Sequence, residues 1–471
     1  MNRKGFILST YVYMLLVFFL LLLTTMLAVM NNTKLLSNKL KEQSGNTSGL
    51  IDKDYSFILL GEGDMVLRKG DEYIEPGFKI QTSRKKDLSD IVKITGNVDV
   101  NNPNTYKLTY SATYNGITKK LTRNVHVLDN IASNYISGLY EHRKDENNLT
   151  NPKVTYNNVE YDTGIRYTGA NPNNYVYFNC EEKDSKNVAY GIDNYDYANS
   201  CEVWRMIGVF DISNGTITEK RVKLINTAST FTASWDSSAD GSVEGETAVN
   251  RGWGINQWGV SGEYKGADLM KLLNGYYIGV QDAKCTYCNG ENQENCGQNC
   301  TTEDLKSNNM KVLTNIVKGM IENVVWDTYA IKWPNDGLTN VNWAGTVYLE
   351  EKGISTKNMG NTLCIANGGG IWCNDNVERM ISWTGLVGLM SVSDITYADG
   401  WLYSQNGATP WSISPVTFPN DAYYVCRVSD GEVAYNTASH AYEVFPSLYL
   451  SSNVKIVSGD GTQDNPYKLS I

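Results

Sequence analysis

The chain begins with an uncharged, predominantly apolar run from Phe6 to Met30, which follows the basic residues Arg3 and Lys4. A helix rises about 1.5 Å per residue, so a run of this length spans the roughly 30 Å hydrocarbon core of a bilayer. The pattern predicts a transmembrane helix over 6–30 within an N-terminal anchor, residues 1–41. Residues 42–54 are polar and contain Gly and Ser, which is typical of a flexible linker.

The ends of this run bear on how the N-terminus is processed. A cleaved secretory signal has a shorter apolar region, about 7–15 residues, and small residues at its exit, so a retained anchor fits better. Arg3-Lys4-Gly5-Phe6 resembles the cleavage site of type IV prepilins, in which the helix begins at the Phe. That family usually has Glu at the fifth mature position, where this chain has Thr10. The resemblance makes a pilin-like subunit the alternative.

Basic residues lie on both sides of the predicted helix, because Lys34, Lys39 and Lys41 follow it. The short N-terminal tail and the cysteines described below favour a cytoplasmic N-terminus. We therefore expect a single-pass protein of the cell membrane, with its C-terminal domains extracellular.

Apolar and polar positions alternate from residue 55 onward. Two such runs, Tyr106–Tyr114 and Ile117–Asp129, flank Asn115-Gly116, which is one of the strongest short signals for a β-hairpin. Further short strands are predicted at Phe57–Leu60, Met65–Leu67, Ile74–Ile80 and Val92–Ile94. About six or seven strands in so short a segment predict a small antiparallel β-sandwich over 55–129.

Several motifs of this segment resemble a known domain. They are Gly70-Asp71, Tyr73-Ile74-Glu75-Pro76-Gly77, Gly96-Asn97-Val98-Asp99, the Tyr106–Thr113 strand and Arg123-Asn124-Val125-His126-Val127-Leu128-Asp129. Together they resemble the bacterial Ig-like domain that recurs in Gram-positive surface proteins. The resemblance implies a spacer or adhesive module without chemistry of its own. We expect His126 at the surface, with no second histidine nearby.

Residues 131–471 form the second predicted domain, a head in which short strands outnumber helices. The predicted strands are Val154–Tyr161, Tyr175–Asn179, Trp204–Phe210 and Arg221–Ile225. The predicted helices are Ile131–His142, Lys265–Tyr277 and Thr302–Val325, the last two from apolar residues at helical spacing. The predicted fold class of the head is therefore α+β and strand-rich.

Four islands of the head resemble an uncharacterised domain of large secreted or anchored proteins from anaerobic Gram-positive bacteria. They are Gly164–Tyr175; Trp204–Phe210; Gly388–Met390 with Ser393-Asp394 and Tyr397-Ala398; and Tyr449–Ile456 with Gly459–Thr462 and Asn465–Tyr467. Their order is also remotely similar to C-type-lectin-like and formylglycine-enzyme-like folds. Within the islands, we expect Trp204 and Arg205 in the core and Gly459-Asp460-Gly461-Thr462 as a hairpin turn.

Composition separates the head from the segment before it. All eleven tryptophans lie at or beyond Trp204, and residues 130–471 carry 39 acidic against 24 basic side chains. An acidic domain repels phosphate backbones, which makes nucleic acid a poor partner, and we expect none. Exposed tryptophan rings would stack on sugars of an extracellular glycan. The candidate ligand-binding residues are Trp253, Trp258, Trp333, Trp343, Trp401 and Trp411. The alternative for most of them is a place in the core, since a head of this size needs large apolar side chains.

All nine cysteines lie in the head, where an exported protein forms disulfides. The candidate pairs are Cys180 with Cys201, Cys364 with Cys373, and two local bridges among Cys285, Cys288, Cys296 and Cys300. The last four could instead bind zinc through four thiolates, although the seven-residue gap between the two pairs is short for a zinc ribbon. The odd cysteine, Cys426, would then be free. We expect no metal and no cofactor.

Motifs of catalysis are missing from the sequence. It has three histidines and contains no Gly-x-Ser-x-Gly, P-loop, His-Glu-x-x-His or dinucleotide fingerprint. We therefore expect a membrane-anchored surface protein that is not an enzyme, in which an Ig-like spacer presents an adhesive head to a carbohydrate, protein or other envelope ligand. The alternatives are a type IV pilin-like subunit and a hydrolase of envelope polymers, whose two carboxylates would meet in the fold.

Overall fold

The computed structural model describes residues 54–181, 195–228, 231–236, 257–259, 266–279, 311–332, 343–354, 382–402, 407–417, 424–429 and 432–471. The predicted transmembrane helix, the Gly5-Phe6 junction and nearly all of the predicted linker lie outside these residues. Among the helices of the described ranges, none has the length and apolar character needed to cross a bilayer.

The chain divides into two compact units. The first contains the described part of Met1–Gly63 together with Glu75–Asn97 and Lys107–Arg123. The second contains Asp64–Ile74, Val98–Tyr106 and the described part of Asn124–Ile471.

The strands of residues 55–128 follow the alternating pattern of the sequence. They are β1 Tyr55–Leu59, β2 Asp64–Arg68, β3 Phe78–Thr82, β4 Lys93–Thr95, β5 Asn104–Tyr114 and β6 Ile117–Leu128, with a short 3-10 turn at Ser89–Ile91. Strand β1 pairs with β3, and the other strands form a sheet in the order β2-β6-β5-β4. The predicted hairpin is confirmed, because Asn115 and Gly116 join β5 to β6 with φ of 50° and 81°, as a type I′ turn requires.

Two details of this segment differ from the prediction. Strand β2 runs parallel to β6, so the expectation of a wholly antiparallel sandwich is wrong at this pair. A long connection separates the two strands in sequence, and such a connection allows parallel pairing. Strand β3 begins at Phe78 rather than Ile74, because Pro76 has no N–H for a strand ladder and Gly77 adopts a φ of 88°.

A buried arginine organises the first unit. The guanidinium of Arg123 donates to the carbonyl oxygens of Glu62 at 2.7 Å and Leu60 at 2.8 Å, and its Nη2 lies 3.3 Å from the Glu75 carboxylate. The Tyr110 hydroxyl donates to the same carboxylate. This network replaces the water that a buried charge loses, which is what makes burial of Arg123 tolerable.

The second unit contains the remaining strands. Those before residue 240 are β7 Leu149–Thr150, β8 Lys153–Tyr156, β9 Val159–Asp162, β10 Ile165–Tyr167, β11 Tyr175–Phe178, β12 Glu202–Ser213, β13 Thr218–Ile225 and β14 Thr232–Ser234. Those after residue 320 are β15 Val324–Asp327, β16 Ile331–Lys332, β17 Ser382–Gly385, β18 Val387–Gly388, β19 Trp411–Thr417, β20 Tyr424–Ser429, β21 Glu432–Thr437, β22 Ala441–Glu443, β23 Ser447–Tyr449, β24 Lys455–Ser458 and β25 Lys468–Ser470.

A central antiparallel sheet joins strands from both ends of this unit. Its order is β18-β23-β13-β12-β10-β7, and β11 also pairs with β12. A second sheet has the order β16-β19-β20-β21, in which β16 runs parallel to β19. Two-stranded pairs are formed by β8 with β9, β14 with β22, β15 with β17, and β24 with β25. Strand-rich packing of the head is therefore confirmed.

The helices are short and lie among the strands. They are α1 Ala132–Arg143, α2 Tyr197–Ser200, α3 Asp268–Leu273, α4 Asn315–Lys318, α5 Trp343–Glu351 and α6 Val392–Tyr397. Helix α1 matches its prediction within one residue at each end. Within its described part, the predicted helix Thr302–Val325 is confirmed at Asn315–Lys318 and wrong beyond it, because α4 ends before Gly319 and the β-branched Val324 and Val325 begin a strand.

The described cysteines follow the prediction. Cys180 and Cys201 form a disulfide that links the end of β11 to the start of β12. Cys426 on β20 is free and buried, and burial raises the pKa of its thiol well above the ordinary value. The remaining disulfide candidates and the zinc alternative at 285–300 lie outside the described residues.

Candidate functional site

Three of the candidate ligand-binding tryptophans lie within the described residues. Trp258, Trp401 and Trp411 are fully buried in the core. The indole N–H of Trp401 donates to the Tyr167 carbonyl oxygen at 3.0 Å, and that of Trp411 donates to the Ala233 carbonyl oxygen at 2.9 Å. These three rings present no face to solvent. Trp253, Trp333 and the side chain of Trp343 lie outside the described residues.

A polar cleft of about 200 Å³ lies within the second unit. Strands β10, β12, β13 and β15 and helices α5 and α6 each contribute to its lining. The lining residues used below are Asp162, Arg166, Phe210, Asp211, Lys220, Lys223, Trp326, Asp327, Tyr348, Glu351, Lys352, Asp394 and Tyr449. They combine charged groups of both signs with aromatic rings.

Two cations share one carboxylate at the floor of the cleft. Arg166 Nη1 donates to Asp394 Oδ1 at 2.8 Å, and Lys223 Nζ donates to Oδ2 at 2.6 Å. All three side chains are at most 4% exposed. Burial by itself raises the pKa of Asp394, but the charges of Lys223 and Arg166 outweigh burial, so this pKa lies well below its ordinary value. Asp394 is therefore ionised at neutral pH.

A close approach of two strands places Arg166 at this point. Arg166 on β10 pairs with Gly208 on β12, next to a register shift in β12. A Cβ atom at Gly208 would lie 2.1 Å from the Ile165 carbonyl oxygen, which is far inside contact distance. Glycine at position 208 therefore allows β10 to pair with β12 and carry Arg166 to the floor.

Aromatic rings hold both cations in place. The guanidinium carbon of Arg166 lies 4.6 Å from the centre of the Phe210 ring and 4.9 Å from that of Tyr397. Lys223 Nζ lies 5.0 Å from the centre of the Trp326 ring and 5.5 Å from that of Tyr449. Cation–π attraction of this kind contributes about 0.5–2 kcal/mol each, more where water is excluded. The positions of the two charges are thus fixed before any ligand arrives.

Asp394 also begins helix α6. The Ser391 hydroxyl accepts a hydrogen bond from the Asp394 N–H at 3.1 Å, and Asp394 Oδ2 accepts one from the Ser391 N–H at 2.9 Å. This reciprocal pair is a capping box, in which the N-cap and N3 residues satisfy each other's N–H groups. One carboxylate therefore joins helix α6 to strands β10 and β13.

A second buried carboxylate, Glu351 at the end of α5, binds the same helix end. Glu351 accepts hydrogen bonds from the Val392 N–H at 2.7 Å and the Ser393 N–H at 3.2 Å, and from the Ser414 hydroxyl at 2.5 Å. Burial raises the pKa of Glu351, and these donors partly oppose that effect. Protein donors thus engage both oxygens of each floor carboxylate, which suits a structural or binding role better than general acid catalysis.

Ion pairs and polar groups form the rim. Lys352 Nζ lies 2.6 Å from Asp327 Oδ2, and Asp162 pairs with Lys153. The Tyr348 hydroxyl donates to the Asp162 carbonyl oxygen at 2.8 Å. Asp211 and Lys220 face each other in the β12–β13 pairing, and both are exposed. The rim can therefore donate and accept hydrogen bonds around the cleft mouth.

Sequence reasoning did not assign the floor residues. Arg166 and Asp394 lie in two of the resemblance islands, but 228 positions separate them. One sequence pattern does point to buried charges. Lys223 and Arg166 each lie between two large apolar or aromatic residues in a strand-like segment. A charge at a core position requires a buried partner. The pattern does not say which carboxylate that partner is.

A histidine pair lies elsewhere in the second unit. The rings of His126 and His142 are stacked, with centres 3.7 Å apart and an interplanar angle of 19°, so the expectation that His126 has no histidine neighbour is wrong. Helix α1 packs beside β2, and His142 near its end stacks on His126 of β6, the strand that pairs with β2. Burial and the neighbouring His142 lower the pKa of His126, while Asp64 opposes them. Within the described ranges, no group of three or more His, Cys, Asp or Glu is arranged to hold a metal.

Comparison with known protein families assigns one segment of the chain to a family. Residues 57–127 match the family model described as bacterial surface protein, Ig-like domain, which confirms the resemblance seen in the sequence motifs. A search of curated proteins gives no match. The chain therefore contains an Ig-like domain of the kind found in bacterial surface proteins.

Solved structures show distant similarity. The lipoprotein BT2262 from Bacteroides thetaiotaomicron is 18% identical, with 36% of this chain and 93% of that chain covered and a TM-score of 0.17. The CBM51-2 and INT domains of ZmpB from Clostridium perfringens, in complex with GlcNAc, are 10% identical, with 38% of this chain covered and a TM-score of 0.16. This chain spans 32% of the length of the ZmpB chain. These similarities do not bear on function.

Proposed function

We propose that this chain is a bacterial surface protein whose Ig-like domain, residues 55–129, is a spacer and whose head, residues 131–471, binds a sugar of an envelope or extracellular glycan in the polar cleft. The family match of residues 57–127 supports surface exposure. The cleft supports ligand binding, and its floor of two ring-held cations on one carboxylate is the observation that carries the proposal.

The lining suits a sugar for two reasons. A sugar ring presents hydroxyl groups that both donate and accept hydrogen bonds, and the rim offers donors and acceptors such as Lys352, Asp327 and Tyr348. A sugar also presents C–H faces, which pack against aromatic rings. The volume of about 200 Å³ is smaller than the roughly 300–1,000 Å³ typical of drug-sized ligands. It therefore suits one sugar unit of a longer chain.

Binding is better supported than hydrolysis. Glycosidases need one carboxylic acid that faces the leaving group and a second carboxylate that faces the sugar or a water. Asp394 and Glu351 instead direct their oxygens at Arg166, Lys223 and the N-terminus of α6. A structural function accounts for the burial of both carboxylates, and no catalytic function is needed to explain it.

The experiment is a glycan array probed with the full-length chain in detergent, followed by titration of the sugar that binds best. Tyr348→Phe removes one hydroxyl at the cleft mouth, and we expect about two- to tenfold weaker binding, since a hydrogen bond contributes about 0.5–1.5 kcal/mol. Tyr435→Phe removes a hydroxyl from an exposed tyrosine outside the lining and should bind like the unaltered chain. No binding to any glycan, or equal binding by both variants, contradicts the proposal.

We also propose that residues 6–30 anchor the chain in the cell membrane with the head outside. The uncharged apolar run supports this proposal. Alkaline extraction of membranes should leave the chain in the pellet, and protease added to intact cells should remove the head. N-terminal sequencing separates a plain anchor, which keeps Met1, from a pilin-like subunit, which begins at Phe6.

A further inference from the structure

The cleft floor contains one more buried cation than its closest carboxylate can neutralise. Arg166 donates through Nε to the Thr163 carbonyl oxygen at 2.9 Å and through Nη1 to Asp394. Among the residues that the structure describes, Arg166 Nη2 has no acceptor. Lys223 has Asp394 as its carboxylate partner and otherwise lies over aromatic rings. Two positive charges thus share one negative charge.

Two other acids of the lining form ion pairs of their own, and Asp211 is exposed and lies opposite Lys220 in the β12–β13 pairing. Asp327 pairs with Lys352, and Asp162 pairs with Lys153. Glu351 accepts its described hydrogen bonds from the backbone of α6 and from Ser414 rather than from either floor cation. Among the described groups, Asp394 is thus the carboxylate that contacts the two floor cations, and no acceptor lies beside Arg166 Nη2.

We propose that an anionic group of the ligand occupies this position, so that the sugar bound in the cleft is an acidic one, carrying a carboxylate or a phosphate. The inference rests on the proposed function and adds the chemical class of the sugar. An anion beside Arg166 and Lys223 would complete an arrangement of two cations and two anions, which removes the cost of a buried unpaired charge. Because stacking already holds both cations, their ordering would cost little on binding.

The experiment compares three sugars that differ at one carbon. Glucose, glucuronate and glucose 6-phosphate are titrated by calorimetry into the full-length chain in detergent at neutral pH and low salt. We expect glucuronate, glucose 6-phosphate or both to bind at least about tenfold more tightly than glucose, with a preference that weakens as salt is added. The two anionic sugars distinguish a carboxylate from a phosphate. The methyl ester of glucuronate removes the charge while keeping the ring, and it should bind like glucose.

A variant tests the floor directly. Lys223→Met leaves Arg166 and Asp394 as a neutral pair and should abolish the preference for the anionic sugar. Lys311→Met makes the same charge change at an exposed lysine outside the lining and should keep the preference. If Lys223→Met does not fold, the comparison of charged with uncharged sugars on the unaltered chain still decides the question.

The outcomes separate the two proposals. Neutral glycans that bind on the array together with glucuronate and glucose 6-phosphate that bind no better than glucose would overturn the acidic class and leave sugar binding intact. An anion preference unchanged by Lys223→Met would also overturn it. If no glycan binds at all, the proposed function fails and the inference fails with it.

Discussion

Lys223 Nζ lies 2.6 Å from Asp394 Oδ2, although 171 positions separate the two residues in sequence. Each side chain is buried, Lys223 on a central strand and Asp394 in the first turn of helix α6. The pair joins the main sheet to the element that closes one side of the cleft. Arg166 extends the same contact to β10.

Loss of the Asp394 charge should destabilise the head strongly. Asp394→Asn leaves Arg166 and Lys223 buried without an anion and removes a carboxylate from the capping box of α6. Breaking one partner of a buried charge pair costs about 3–5 kcal/mol, and we expect that loss in urea unfolding. Asp399→Asn, at an exposed position nearby, should change the free energy of unfolding by less than about 0.5 kcal/mol. Similar stabilities for the two variants would contradict the prediction.

The same contact predicts how stability depends on pH. The pKa of Asp394 is lowered in the folded chain from an ordinary value of 3.8, so its contribution is fully present above that value. The contribution decreases as the pH falls below about 3.8 towards the folded-state pKa. The stability difference between the unaltered chain and Asp394→Asn should therefore stay constant from neutral pH to about pH 5 and shrink below about pH 4. Urea unfolding at a series of pH values measures it, and a difference that grows on acidification would exclude this account.

A single methyl group at position 208 should disturb the site. Gly208→Ala forces a Cβ atom against the Ile165 carbonyl oxygen, where a placed Cβ lies at 2.1 Å. Strand β10 must move away, and Arg166 moves with it. Overpacking of this kind costs about 1–3 kcal/mol, measured by thermal or urea unfolding. Gly63→Ala is the control, because nothing lies within 4 Å of its placed Cβ. A Gly208→Ala chain as stable as the control would show that the two strands are not packed this closely.

The disulfide should contribute measurably to stability. Cys180 and Cys201 close a loop with a sequence separation of 21. Loop closure of that length restricts the unfolded chain and stabilises the fold by about 3 kcal/mol. Replacing both cysteines with alanine should lower the free energy of unfolding by that amount, whereas Cys426 keeps its buried position in either form. Thiol counting under denaturing conditions, before and after reduction, checks that the bond exists; no gain in thiols on reduction would refute it.

Local features of the chain were predictable where neighbouring residues decide the structure. Asn115-Gly116 adopts the left-handed conformations that a tight hairpin needs, and the alternation around it produces β5 and β6. Helix α1 matches its predicted limits within one residue at each end. The Cys180–Cys201 bridge is also confirmed. It could be predicted because only a short polar segment separates the two cysteines in sequence.

Other predictions failed or missed the site because they depend on residues far apart in sequence. Val324 and Val325 were predicted to be helical from spacing, but pairing with β17 makes them a strand. Trp258, Trp401 and Trp411 were candidate sugar platforms, yet they fill the core, since a large aromatic ring gains more by burial than by exposure. The histidine pair escaped prediction because α1 carries His142 to a strand that precedes it.

The sequence by itself determined the strand-rich class of the head, the Ig-like segment, its central hairpin and the expectation of an apolar anchor, because each depends on composition or on neighbours along the chain. The tertiary structure alone decided which charges share a buried contact, which tryptophans are enclosed and where a cleft opens. A side-chain pattern specifies that Lys223 and Arg166 need a partner, whereas the choice of Asp394 follows from packing α6 against β10 and β13. That packing depends on contacts throughout the core between residues far apart in sequence, so no short segment of the chain determines it.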